Sequence, residues 1–389
     1  MVEVKIEAFT KTMEELLLME REAELEESAS LLSKFSFKEL ERQNLAITKL
    51  FVKSVSTGVY GRHLLHLERG QSKKSKSGDD NENVKIKTFS PGDIVGLFQS
   101  DRNAKDSSDS KIDGIVYKVA NDEVVVAFNE PVEPDQLKQP LSLVMLANEV
   151  TYQRCKMALE QLKKNHGTWK NTRLVDVLFQ HERPRLLETL DSECFDVRNL
   201  NFVNTGLNLA QKEAISKCLK SVDVSMIHGP PGTGKTTTIV EYILQTVSLQ
   251  KSKVMACAPS NIAVDNIIER LHKLNPQLRI VRIGHPARLL ESVQKFCLDA
   301  LVQKNNDYAI QTKDIRKDMN KLALKLRKAE TKAQKVEVYK EYKLLRKDLR
   351  QIEQQHIDQV FKNADVICST LTSASDKTLR GYIHNSLPD

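Results

Sequence analysis

The apolar positions change period repeatedly along this chain, and each change marks a different kind of element. In residues 3–29, Ile6, Phe9, Met13, Leu16 and Leu17 fall on one side of a helix, with glutamates over much of the rest. From Leu45 to Leu146 the period shortens to β-type runs: 46–52, 93–98, 114–119 and 123–128. The turn signals Ser90-Pro91-Gly92-Asp93 and Asn121-Asp122 separate them, so a small antiparallel barrel is expected over 45–146. Residues 71–81 are polar and aperiodic and read as a disordered loop. The helical period returns from Asn148, with Tyr152, Cys155, Leu159 and Leu162 on one face and Gly167 as a stop. Antiparallel pairing of this helix (147–204 with its linker) with the N-terminal one (1–44) would make a stalk for the barrel. Lys156, Lys163 and Lys164 could then meet the N-terminal glutamates.

Beyond Leu174–Phe179, a short helix, and a linker over 180–204, strands alternate with helices. Val224-Ser225-Met226-Ile227 reads as a strand, and Ile239, Ile243, Leu244 and Val247 set an amphipathic helix after it. Strands follow at 253–258 and 279–283, with a helix carrying Ile262, Val264, Ile267, Ile268 and Leu271 between them. Such alternation predicts a parallel, doubly wound sheet over 205–285 that binds ligands at the carboxyl ends of its strands. Residues 286–362 interrupt it with a helical stretch. Ile315, Met319, Leu322, Leu326, Ala329, Ala333 and Val336 keep a spacing of four and three, which Val338, Tyr342, Leu345, Leu349 and Ile352 continue after a change of phase. A helical hairpin is expected there, and 363–389 returns to the sheet.

Composition adds bounds. With 40% hydrophobic and 29% charged residues over 389 positions, the chain is globular with room for two or three domains. It holds no apolar run of the ~20 residues that a spanning helix needs, and its N-terminus is acidic where a secretory signal would be basic and then apolar. The cytoplasm or nucleus is the expected location, without membrane contact. Six scattered cysteines without a C-x-x-C pair favour reduced thiols over zinc or disulfides. The net charge of +7 is uneven: residues 1–30 carry −6, and 311–350 carry fourteen basic against six acidic residues, or +8. That segment fits either a polyanion partner or a solvated helix face.

The chemistry centres on Gly229-Pro230-Pro231-Gly232-Thr233-Gly234-Lys235-Thr236, which fills every fixed position of G-x-x-x-x-G-K-[ST]. Between a strand and a helix, such a loop closes backbone N–H groups on phosphate oxygens at a positive helix end. Lys235 can reach the β and γ phosphates and Thr236 can hold Mg²⁺, so ATP and Mg²⁺ are the expected cofactors. The acidic strand end that would complete a phosphate-loop hydrolase is not found after the loop, since Asp365 precedes its strand. Either this is the N-terminal part of a longer protein, which the open sheet favours, or it is a nucleotide-binding module that does not hydrolyse. Background ATPase activity and an aggregation-prone strand edge are expected of the chain alone.

Four stretches, Leu209–Glu213 (LAQKE), Gly229–Thr238 (GPPGTGKTTT), Ala258–Asn266 (APSNIAVDN) and Gly284–Glu291 (GHPARLLE), resemble the superfamily 1B helicases related to the nonsense-mediated-decay helicase, and within them the immunoglobulin mu-binding-protein type. The likeness also takes in residues 90–97, 146–152 and 314–318. It implies an α/β multidomain protein. An incomplete RecA-like P-loop domain with an inserted helical hairpin would follow a small β-barrel on a two-helix stalk. It implies 5′-to-3′ helicase activity on single-stranded DNA or RNA, with ribosomal or RNP components as further candidate partners. By the same resemblance Gln211 would read adenine and Thr237 would join the nucleotide site. Pro259, Ser260, Asn261, Ser369 and Thr370 would touch the nucleic-acid backbone, although Ser, Asn and Thr at strand ends also serve as helix caps. The rival reading is a non-catalytic nucleic-acid-binding or regulatory protein made by an early stop.

Overall fold

The computed structural model describes residues 2–57, 63–70, 89–90, 92–99, 112–120, 123–128, 137, 139–146, 149–165, 172–188, 193–284, 289–328 and 331–386. Its first half is a closed barrel of β1 (Ala46–Thr57), β2 (His63–Arg69), β3 (Ile94–Gln99), β4 (Ile112–Val119), β5 (Glu123–Phe128) and β6 (Leu141–Met145), in the order β1-β2-β5-β4-β3-β6. Alternate residues point inward: Leu65 and Leu67, Val95 and Leu97, Val124 and Val126, Leu141 and Leu143 meet around Leu50. The periodicity marked only four of these six strands. In β2 polar or charged residues at 63, 66, 68 and 69 break the alternation, and β6 is five residues long, so neither outweighed its flanks. The expected turn residues Pro91, Asn121 and Asp122 and the loop 71–81 lie outside the described residues.

The stalk is present. Helix α1 (Val2–Lys34) runs antiparallel to α3 (Glu149–Asn165), because Arg21 stacks over Tyr152 at the start of α3 while Phe9 meets Phe179, just after the short α4 (Thr172–Leu178). A short α2 (Phe37–Arg42) sits between α1 and the barrel, its Phe37 and Leu40 packed on Phe98 and Val144. The buried line along α1 is Ile6, Thr10, Met13 and Leu17, each wholly or half buried; Phe9 and Leu16 stand mostly outside it. Among the described residues, Lys156, Lys163 and Lys164 pair with no N-terminal glutamate, and Lys163 and Lys164 are exposed. An aromatic and cationic contact, instead of the expected ion pairs, links the two helices there.

The second half is a three-stranded parallel sheet in the order β7-β9-β8, formed by β7 (Val254–Ala258), β8 (Ile280–Ile283) and β9 (Val366–Thr370). Because both faces are covered, alternate residues serve two cores. Ala256, Ile280, Val366 and Cys368 face α6 (Lys235–Leu249) and α7 (Asn261–Leu274), through Val240, Ile243, Val264 and Ile268. Val281, Ile283 and Ile367 face the opposite side, against Ile357 and Phe361. Those last two belong to α10 (Lys332–Asn363), which pairs with α9 (Asn306–Lys328) after a short α8 (Leu298–Gln303). Helices α9 and α10 form the expected hairpin around Met319, Leu322, Tyr342 and Leu349. Val336 is half exposed and outside that core, because the second helix begins earlier than the phase change implied: Thr331 caps it, its side chain accepting from Gln334 N. Short α11 (Leu371–Ala374) and α12 (Lys377–Ser386) close the described chain.

One expected strand does not form. Residues 224–227 have no ladder partner among the described residues, and Met226 is 90% exposed. A strand exists only by pairing, so the apolar run alone could not make one. Among the described residues no helix is long and apolar enough to cross a membrane. All six cysteines are free; Cys218, Cys297 and Cys368 are buried, whereas Cys194 and Cys257 are exposed.

Candidate nucleotide and nucleic-acid site

The phosphate loop leads into α6, whose inward residues anchor it on the sheet. Gly232 and Gly234 have φ of +84° and +79°, a backbone region that favours glycine, and nothing lies within 4 Å of where a Gly232 Cβ would be. Gly234 is the N-cap of α6 and offers no side chain to its first amides. Those donors are therefore left without a side-chain cap at a positive helix end, which suits an anion. Thr233 Oγ1 donates to Pro230 O at 2.8 Å and holds the loop's shape. The Lys235 ammonium donates to Gly229 O at 2.6 Å and Pro230 O at 2.8 Å, so the cation rests on the loop it would leave for a phosphate. Thr236 and Thr237 follow, half buried in the first turn.

Gln211 reaches the same loop. It lies in the first turn of α5 (Leu209–Lys220), in a capping box with Asn208: Asn208 N donates to Gln211 Oε1 at 3.1 Å, and Gln211 N to Asn208 Oδ1 at 2.9 Å. Its Nε2 donates to Thr233 O at 3.1 Å. Sequence distance thus hides a direct contact between the expected adenine reader and the phosphate loop.

At the carboxyl ends of β7 and β9, Ala258 and Thr370 are register partners, so the helices that follow begin side by side. Ser260 caps α7, accepting from Ala263 N at 3.2 Å; Thr370 caps α11, accepting from Ser373 N at 3.3 Å. Beside the caps, Ile262 and Leu371 are 67% and 61% exposed. Pro259, Ser260, Asn261 and Thr370 all reach this surface. Ser369 does not: its side chain is buried, donating to Thr370 O and lying 3.6 Å from Cys257 Sγ.

Three features escaped the pattern of apolar positions. Glu241 of α6 is buried and accepts from Val203 N at 2.8 Å and Asn204 N at 3.0 Å, fastening the linker just ahead of α5. Arg270 of α7 donates to Thr237 Oγ1 at 3.1 Å, so the helix capped by Ser260 also touches the phosphate-loop helix. Asp265 and Arg282 form an ion pair at 3.0 Å with side chains only 1% and 0% exposed. Half of the signal for the pair was available: Arg282 is the charged residue in an otherwise apolar strand, and a buried charge requires a partner.

Comparison with known proteins agrees with this layout. Residues 9–147 match the family "Helicase SMUBP-2/HCS1, 1B domain", and residues 206–386 match "AAA domain". The mouse DNA-binding protein SMUBP-2 is 40% identical over 373 residues, covering 95% of this chain and 35% of that protein. The DNA polymerase alpha-associated DNA helicase A of Schizosaccharomyces pombe is 30% identical over 365 residues, 93% of this chain and 53% of its own length. The Drosophila melanogaster regulator of nonsense transcripts 1 homolog is 32% identical over 205 residues, 52% of this chain and 15% of its own. The chain therefore spans about a third to a half of the curated relatives that it matches along most of its length. With the barrel region matched to one model, the sheet region to the other and relatives aligned over more than nine tenths of it, the chain is similar along nearly its whole length to the SMUBP-2/HCS1 helicases.

Proposed function

We propose that the chain forms the nucleotide-binding and strand-binding part of an ATP-dependent helicase, its sheet serving as a RecA-like core. The observation that carries this reading is the juxtaposition at one sheet edge: Ser260 and Thr370 cap neighbouring helices, and Arg270 links the first of them to Thr237 of the phosphate-loop helix. The loop binds the phosphates through free amides, Lys235 neutralises charge on the transferring phosphoryl group, and Thr236 gives its hydroxyl to Mg²⁺. Gln211 turns from Thr233 O to the adenine edge. A single strand of DNA or RNA lies across Pro259, Ser260, Asn261 and Thr370, its phosphates at the helix N-termini. Closure on ATP then moves the strand 5′ to 3′.

Lys235→Ala is the test. In fluorescence titrations the variant should bind an ATP analogue at least tenfold more weakly while keeping its affinity for a single-stranded oligonucleotide. Equal nucleotide affinity in parent and variant would remove the phosphate loop from the reading.

A further inference from the structure

Beneath the strand-binding edge lies a buried relay that neither the phosphate loop nor the helix caps require. Arg282 of β8 is wholly buried. Its Nε donates to Asp265 Oδ1 at 3.0 Å, Nη1 to Ile283 O at 2.5 Å and Nη2 to Asn261 Oδ1 at 2.9 Å. Asp265 Oδ2 is taken in turn by Leu290 N at 2.9 Å. A Cβ on Gly284 would come within 3.1 Å of Arg282 Nη1, so the guanidinium fills its slot.

A guanidinium has donors and no acceptor, so the carbonyl end of the Asn261 amide is the only end that can face it. The NH₂ end must then face away, and Asn261 Nδ2 is not among the buried polar atoms left without a partner. We propose that Arg282, held by Asp265, is a positioning residue. It locks the Asn261 amide so that this point of the edge presents hydrogen-bond donors only, for a phosphodiester oxygen of the bound strand. An unheld asparagine could flip and offer its carbonyl to the same oxygen, which repels it. The inference rests on the strand-binding reading given above.

Two variants of the full chain test it, with affinity for a fluorescent single-stranded oligonucleotide, affinity for an ATP analogue and melting temperature measured for each. Asn261→Ala removes the donors and should weaken strand binding at least tenfold, with nucleotide affinity unchanged. The double variant Asp265→Leu with Arg282→Met replaces the ion pair by apolar groups of similar size, an exchange that often preserves a fold. It should weaken strand binding three- to tenfold, again at constant nucleotide affinity, whereas a merely structural ion pair would leave strand affinity unmoved once the melting temperature is retained. If the double variant does not fold, Arg282→Lys replaces it: an ammonium lacks the planar fork that serves Asp265, Asn261 and Ile283 O in fixed directions, and the same loss is expected. A loss in Asn261→Ala without one in the Arg282 variant overturns the positioning role. Thr370→Val separates the inference from its basis. If it weakens strand binding while neither of the others does, the inference fails and the edge remains the binding surface; if none of the three does, the edge reading fails as well.

Discussion

At the residue scale, two buried side chains hold parts of the molecule that periodicity leaves unconnected. Glu241 accepts from two linker amides and from Gln245 Nε2 at 2.8 Å, and Gln245 also reaches Asn201 O, so a carboxylate and an amide secure the segment that positions Gln211. Replacing it by Gln turns an acceptor into a donor that faces a donor. Glu241→Gln should cost about 2–3 kcal/mol, read as a lower urea midpoint at unchanged slope. His63, 9% exposed on β2, lies edge-on to Tyr342 of α10 at 6.4 Å, joining barrel to hairpin. Burial, and then the Arg346 charge, push its pKa down to about 4. The unfolded chain protonates His63 near pH 6.5 and the folded chain only near 4. Between those values the unfolded state binds more protons, so stability falls as pH drops from 6.5 to 4. In His63→Gln that part of the decline should vanish, seen as a flatter plot of melting temperature against pH relative to the parent. Neither role was legible beforehand. An isolated Glu in an amphipathic helix, or a His in a half-polar strand, carries no sign of what the fold brings against it.

At the element scale, the sequence located most helices and strands because their apolar faces are regular, and it failed where an element depends on a remote partner. The hairpin was legible from Ile315 to Ile352, apart from the start of α10, which a capping Thr331 fixes before Val336. The run 224–227 was misread because hydrophobicity marks what could pair and does not supply the neighbour. The phosphate loop needed no such neighbour, since its chemistry is local. The charge question left open by the sequence gains a shape here. Lys313, Lys317, Lys321 and Lys325 recur every fourth residue on the exposed side of α9, and Lys340, Lys343, Lys347 and Arg350 continue the exposure on α10. Lys321 is held in an ion pair with Asp318 at 2.9 Å. If the stripe on α9 follows a strand's phosphates, each contact contributes about 0.7 to the slope of log affinity against log salt. Changing Lys313, Lys317 and Lys325 to Gln should then flatten the slope for single-strand binding by about two. An unchanged slope would assign the stripe to solvent.

At the scale of the whole molecule, contacts among the described residues tie the barrel to the second half. Through α3, Arg154 donates to Thr372 O at 2.9 Å and to Asp376 at 3.0 Å, beside the Thr370 cap, while His63 meets the hairpin directly. The sheet, in contrast, is open on one flank. Among the described residues, β7 pairs only with β9, its Met255 and Cys257 are exposed at the rim of the hairpin's side, and Val224 and Met226 stand apart without a ladder. An unpaired edge with apolar neighbours is a template for another chain's backbone, and natural edges are blunted by charge. A lysine on that edge must carry its ammonium into any new pairing, whereas in the monomer it remains in water at a cost within about 0.5 kcal/mol. The parent chain should therefore show an apparent mass in light scattering that rises with concentration, and Met226→Lys with Met255→Lys should hold it at the monomer value with the melting temperature unchanged. Association that persists in the double variant would transfer it to another surface, of which the exposed Ile262 and Leu371 beside the helix caps are the next to test.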